Sequence, residues 1–318
     1  MSAPHRRANS AGVLQSNAVT LDPRQLTSYL GNARDLPEML SLHQTHGARF
    51  NGFHVAAFWS RFKILARGEL DGLGDRLVPV CEHTVRMLPE LDARQVANVA
   101  HAFAKSKLVG RGPYQGVWVA LEKVARRRLG GFDEQQLSNT AWAFAKAGRA
   151  APELFDAISA AAVRRRLGGF AAQNLSNMAW AFAKAGHEAP ELFDAISAAA
   201  LRRRLGGFDA QGLSNTVWAF ATAGHEAPEL FDAISAEAVR RRLDGFNPQN
   251  LANTAWAFAT LGRADLELLN AISAEAVHRG LVGFNEQNLS NTVWACATAR
   301  YASPELFNAI SAEAVRRG

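Results

Sequence analysis

The chain has 318 residues, 48% apolar, 20% charged and 9% aromatic, which excludes a disordered tail or a collagen-like fibre and provides for a large buried core. No run of about 18 uninterrupted apolar residues implies a membrane span, and the two cysteines, Cys81 and Cys296, are too far apart for a disulfide framework or a structural zinc site with close ligand pairs. They suit a reducing or organellar compartment better than secretion, while the net charge of +6 and a pI near 9.7 suggest a polyanionic partner, nucleic acid or an anionic membrane surface.

Residues 1–20 carry His5, Arg6 and Arg7 with no acid before Asp22, and read as a disordered tail or a remnant of an organelle-targeting segment. Residues 21–90 read as degenerate helical repeats: Leu36 to His43 fits the second helix of an early copy, and Phe53 to Ala66 falls one unit before Val96–Phe103. The latter stretch matches Leu137–Phe144 at a spacing of 41, with His101 at the place of a tryptophan.

From residue 91 to 318 the chain is an array. Phe132, Phe170, Phe208, Phe246 and Phe284 are each 38 residues apart, as are Trp142, Trp180, Trp218, Trp256 and Trp294. The last unit stops just before its next Phe would come, so we expect it to be cut off. Within a unit, Leu137, Ala141, Phe144 and Ala145 form the apolar stripe of an amphipathic helix that Gly148 ends. A second helix opens at Pro152-Glu153, carries Leu154, Ile158 and Ala161 on one face, and closes at Arg164-Arg165-Arg166-Leu167-Gly168-Gly169, where glycine permits a left-handed exit. One such hairpin buries too little to offset its ordering entropy, so copies must stack. The predicted fold is an all-α solenoid of stacked helical hairpins.

On a wheel of about 100° per residue centred on Leu137, Gln135, Asn139 and Lys146 gather near 160–200°, opposite the apolar stripe. The same polar stripe recurs as Gln173, Asn177 and Lys184; Gln211, Asn215 and Thr222; Gln249, Asn253 and Thr260; and Gln287, Asn291 and Thr298. Amides at regular spacing suit base edges or ribose hydroxyls, and lysines suit phosphates; the competing role for the Asn and Gln rows is to bridge to the neighbouring hairpin. Position 136 varies between copies, as Gln136, Asn174, Gly212, Asn250 and Asn288, and variation within an array is where specificity would be encoded. Arg127, Arg165, Arg203 and Arg241, the middle members of the arginine triplets, are the candidates for a phosphate ladder; the competing role is to compensate helix C-terminal dipoles. Trp142 falls at about 140° on the wheel, a border position that favours packing between repeats over base stacking. Residues 132–318 hold 17 Lys and Arg against 19 Asp and Glu, whereas residues 1–131 hold 18 against 10. The regular array is therefore close to neutral.

Nothing marks a catalytic site. The nine histidines lack partners at metal-ligand spacing, no Gly-rich phosphate loop follows a strand, and His187 and His225 align with Arg149 and Arg263. No cofactor, metal ion or small-molecule substrate is implied.

The residues Phe246-Asn247-Pro248-Gln249-Asn250-Leu251-Ala252-Asn253-Thr254-Ala255-Trp256-Ala257-Phe258-Ala259-Thr260-Leu261-Gly262 resemble the signature of octotricopeptide repeats, 38-residue helical hairpins of algal organelle proteins. Gly31–Leu36 and His54–Ala57 are similar to the N-terminal half of relatives that include the FAST kinase-like and RAP-domain proteins. The resemblance spans residues 91–318, and 21–90 more weakly. It implies non-enzymatic, sequence-specific binding of single-stranded RNA in a mitochondrion or chloroplast, in transcript processing, stability, ribosomal RNA maturation or translation. These residues hold no RAP domain, and near-identical repeats imply the reading of a near-repetitive sequence, or of little at all. An armadillo-like scaffold that binds peptides or proteins along its concave face is the alternative. A third reading makes the chain the repeat array of a longer enzyme.

Overall fold

The computed structural model describes residues 21–66, 73–110 and 112–317; the tail expected over residues 1–20 lies outside them. The described residues form sixteen α-helices in chain order: α1 Pro23–Asn32, α2 Leu36–His46, α3 Gly52–Leu65, α4 Gly74–Met87, α5 Ala93–Lys105, α6 Pro113–Arg128, α7 Glu134–Lys146, α8 Pro152–Arg164, α9 Ala172–Ala185, α10 Pro190–Arg202, α11 Ala210–Ala223, α12 Pro228–Arg240, α13 Pro248–Thr260, α14 Leu266–His278, α15 Glu286–Thr298 and α16 Pro304–Arg317. Each odd helix packs on the odd helices before and after it, and each even helix on its even neighbours, so consecutive hairpins stack as two layers of a solenoid.

Local chemistry sets the helix boundaries. Asp133 caps α7 by accepting from the Gln136 N–H, while the Gln136 side chain accepts from the Asp133 N–H, a reciprocal box repeated by Asn247 with Asn250 and Asn285 with Asn288. Most even helices of the array open with proline in their first turn, where the missing N–H has no partner to lose, and an acid follows it. Phe132, Leu137, Phe144, Leu154, Phe155 and Ile158, with their equivalents in the next two copies, are buried and fill the space between layers. Phe155 meets Phe182 edge-to-face at 5.0 Å, and Phe193 meets Phe220 at 4.9 Å, so the aromatic contacts join neighbouring hairpins.

Where the odd helices touch, the buried residues are small: Ser138, Thr140, Ala141, Ala143 and Ala145 on α7, and Ser176, Ala179, Ala181 and Ala183 on α9. Small side chains let helix axes approach, and the odd layer is packed more closely than the even one. A stack closer on one side bends towards that side, which puts the odd helices on the inner face.

The turn from an even helix to the next odd one contains more than the expected glycine exit. Besides glycine, which has positive φ at Gly207, Gly245 and Gly283 as expected, it is left-handed at Arg166 and Leu167 (φ 52° and 50°), then at Arg204 with Leu205 and Arg242 with Leu243. The geometry holds the leucine inside the core, with Leu167 fully buried, and an L-residue there carries a cost of about 1–2 kcal/mol. The fourth copy has Gly280 in the arginine's place, also left-handed. Arg204→Gly is therefore expected to leave stability unchanged or raise it by up to about 1 kcal/mol, measured by urea unfolding, although glycine normally destabilises.

Candidate nucleic-acid interface

Four rows of side chains run along the odd layer. Gln135, Gln173, Gln211, Gln249 and Gln287 are exposed; Asn139, Asn177, Asn215, Asn253 and Asn291 are half-buried; the five tryptophans follow; then Lys146, Lys184, Thr222, Thr260 and Thr298, all exposed. Helical periodicity lines up positions 135, 139, 142 and 146 within a helix, and stacking turns each position into a row. Among the described residues, Asn139, Asn177, Asn215 and Asn253 make no side-chain hydrogen bond to a neighbouring hairpin; Asn291 accepts from Gln287 Nε2 on its own helix at 2.7 Å. The bridging role considered for this row is not used, and the amides stay open to a ligand.

The variable row points elsewhere. Gln136, Asn174, Asn250 and Asn288 occupy the third residue of their helices and turn back to the cap, each accepting from the N–H three residues earlier, while Asn174 also donates to Ser138 Oγ at 3.2 Å. Gly212, Asn250 and Asn288 are buried. The expectation that this position encodes specificity is corrected: its variation answers to capping and to the neighbouring helix.

The arginine ladder is also relocated. Arg165 donates to the Phe132 carbonyl at 2.6 Å and lies 3.7 Å from Glu134; Arg241 donates to the Phe208 carbonyl at 2.8 Å and pairs with Glu237; Arg203 donates to the Gly168 carbonyl at 3.1 Å. Each middle arginine thus closes the loop of its own hairpin or the one before. Arg127 stands on α6 in a cleft of the even layer beside Glu122 and Glu153, because α6 runs longer and Arg128 takes the stapling role on the Leu91 and Pro89 carbonyls. Arg165→Ala is expected to cost about 1–2 kcal/mol and Arg164→Ala under about 0.5, by thermal or urea unfolding.

Charge instead divides by layer. The odd helices carry seven Lys and Arg against two acids, the even helices eleven against fifteen. The two odd-layer acids, Glu134 and Glu286, both stand beside arginines, Arg165 at 3.7 Å and Arg317 at 3.2 Å. The basic excess of the odd layer comes from α1, α3 and α5; from α7 to α15 the odd helices balance Lys146 and Lys184 against Glu134 and Glu286, while the even helices from α8 to α16 are acidic, with five Lys and Arg against eleven acids. On the outer layer Asp156 and Asp194 accept from His187 and His225 of the next hairpin at 2.8 and 2.9 Å, and Asp232 pairs with Arg263, so His and Arg interchange as clasps between repeats.

The rows continue upstream through His101, already aligned with the tryptophans in the sequence, and through Arg94, Asn98 and Lys105, which were not singled out there. All four stand on α5 and repeat positions 135, 139, 142 and 146 at the 41-residue spacing, which, carried through every position, is the signal for Arg94, Asn98 and Lys105. Lys105 Nζ lies 5.4 Å from the Trp142 ring centre. Lys63 on α3 joins this cluster, and burial together with Lys105 lowers its ammonium pKa. Ring centres are 5.1 Å apart between His101 and Trp142, then 6.2 and 6.4 Å along Trp142, Trp180 and Trp218, and 6.4 Å between Trp256 and Trp294. A sandwiched base needs about 6.8 Å, twice the spacing along a stacked strand, and the rings are tilted by 31° or more. The tryptophans pack on one another, as their wheel position implies, and expose only part of each ring, most of all Trp294.

Burial, with Lys63 and Lys105, pushes the His101 imidazole down to about 4. An unfolded chain protonates this group near 6.5, so the unfolded state takes up the proton first; stability is full above pH 6.5 and falls as pH drops towards 4. His101→Trp is expected to remove that share of acid sensitivity, seen as a smaller difference between urea midpoints at pH 7 and pH 4.5. His43, pushed down to about 4 by burial and by His83, is present in both proteins and cancels.

Residues 167–317 match the family model of the RNA-editing substrate-binding complex 6 protein. The match begins at the left-handed Leu167 and covers α9 to α16, half of the hairpins. The chain is a helical-repeat protein, similar to this family over that stretch. Of the basic inner-face residues, Lys184 lies within it, and Lys63, Arg94, Lys105 and Lys146 precede it. No curated protein matches the chain. Among the described residues, no group of three or more His, Cys, Asp or Glu is placed to hold a metal ion, and no helix is long and apolar enough to cross a membrane.

Proposed function

We propose that the chain is a non-enzymatic protein that binds single-stranded RNA along its odd-helix face and acts in organellar RNA processing, in a mitochondrion or chloroplast. The observation that carries this reading is the make-up of one face: exposed glutamines and lysines, half-buried asparagines and tryptophan edges share the odd-helix layer, whose helices among the described residues contain two acids, Glu134 and Glu286, each beside an arginine. Amides offer a donor and an acceptor to base edges, and the cations meet phosphates. The similarity to a family described by an RNA-editing substrate-binding complex supports the same reading, as does the resemblance to octotricopeptide arrays.

Selection from a randomised RNA pool at about 50 and 200 mM salt tests it. Five inner-face cations predict a slope of about −3.5 in log affinity against log salt, about a 100-fold loss between the two conditions. Absence of enrichment, or binding indifferent to salt, overturns the reading.

The scaffold reading has support on the opposite side. The even layer is acidic, and Asp156, Asp194 and Asp232 are largely exposed on it at regular intervals. A matched family named for a complex accords with protein partners on that layer, which leaves the inner face to RNA.

A further inference from the structure

We propose that the RNA taken by the inner face is a homopolymeric tract, a run of one nucleotide read in many equivalent registers. The inference rests on the RNA-binding reading above and names its substrate class.

An array can distinguish a mixed sequence only if its exposed reading positions differ from copy to copy. Here they do not. The exposed row is glutamine in all five regular copies, and the half-buried row is asparagine in all five. The tryptophans add a third invariant row. At position 136 and its equivalents, the amides of Gln136, Asn174, Asn250 and Asn288 are engaged in the helix cap. The remaining variable row, Lys146 and Lys184 followed by Thr222, Thr260 and Thr298, differs in charge, so it separates copies that contact phosphate from copies that do not. Phosphate carries no base identity.

Five identical surfaces make the same request of every nucleotide they meet. On a mixed sequence no register satisfies all of them. On a homopolymer every register does, and a slip by one hairpin gives up only the contacts at one end. Preference therefore multiplies along the array, and many registers of nearly equal energy add to the affinity for a long tract.

Fluorescence anisotropy with the full chain tests this, using 15-nucleotide oligo(A), oligo(U), oligo(C) and a mixed sequence of A, U and C. One homopolymer is expected to bind at least tenfold more tightly than the mixed sequence. Asn177→Ala with Asn215→Ala is expected to shrink that ratio to less than half while the salt dependence stays unchanged, which a merely weakened or unfolded protein would not show. Equal binding of the mixed sequence and the best homopolymer, within about twofold, overturns the homopolymer proposal and leaves RNA binding standing. Failure of every oligonucleotide to bind overturns both.

Discussion

Reversing Lys105, Lys146 and Lys184 together to glutamate is expected to lower the affinity for single-stranded RNA about 100-fold near physiological salt and to reduce the salt slope by about 2. The slope follows from three phosphate contacts at about 0.7 counterions each on a single strand; the affinity loss adds repulsion from the new carboxylates. The three lysines stand at the same position of successive odd helices, and the two acids within the odd helices among the described residues, Glu134 and Glu286, are engaged with arginines. All three are exposed, so the substitutions remove no core packing. The control is reversal of Arg164 and Arg202 on the even layer, which is expected to change affinity by less than about threefold if phosphate lies on the inner face, exposed pairs at a distance being largely screened. Equal losses from the two sets of variants would show that binding is a diffuse effect of net charge.

Phe182→Ala is expected to cost about 3–5 kcal/mol of stability, measured by urea unfolding. The ring is fully buried, meets Phe155 of the preceding hairpin edge-to-face at 5.0 Å, and borders the His187 ring at 5.7 Å. Truncation therefore opens a cavity at the joint between two hairpins. Stability in a stacked array is close to a sum of units and nearest-neighbour interfaces, so weakening one central joint is expected to split the unfolding transition into two. In the last copy Cys296, also buried, takes the position held by Phe144, Phe182, Phe220 and Phe258. A loss under about 1 kcal/mol with a single unchanged transition would mean that the Phe182 ring does not join the hairpins.

The two results concern opposite sides of the same helices, and their separation was legible in the sequence. Helical periodicity is local: with about 3.6 residues per turn, the position of Leu137 assigns Phe144 to the core and Gln135, Asn139 and Lys146 to the surface without knowledge of any neighbour. The 38-residue spacing then turns each position into a row, and the inability of one hairpin to bury enough surface requires the stack. Sequence alone thus determined the repeat, the hairpin, the layered solenoid and the candidate stripe. It did not determine what the loops do. Arg165, Arg203 and Arg241 look like a ladder because they recur, yet each guanidinium is held on a backbone carbonyl 33 to 35 positions away, a contact that exists only once the hairpins are folded and stacked. Position 136 looks like a code because it varies, yet the cap it serves and the helix it touches belong to the fold. Charge counted along the chain is nearly zero across the array and separates into a neutral odd layer, made basic only by α1, α3 and α5 upstream, and an acidic even layer when alternate helices are known to be neighbours. Net charge is a sum over sequence, whereas the field a ligand meets is a sum over space.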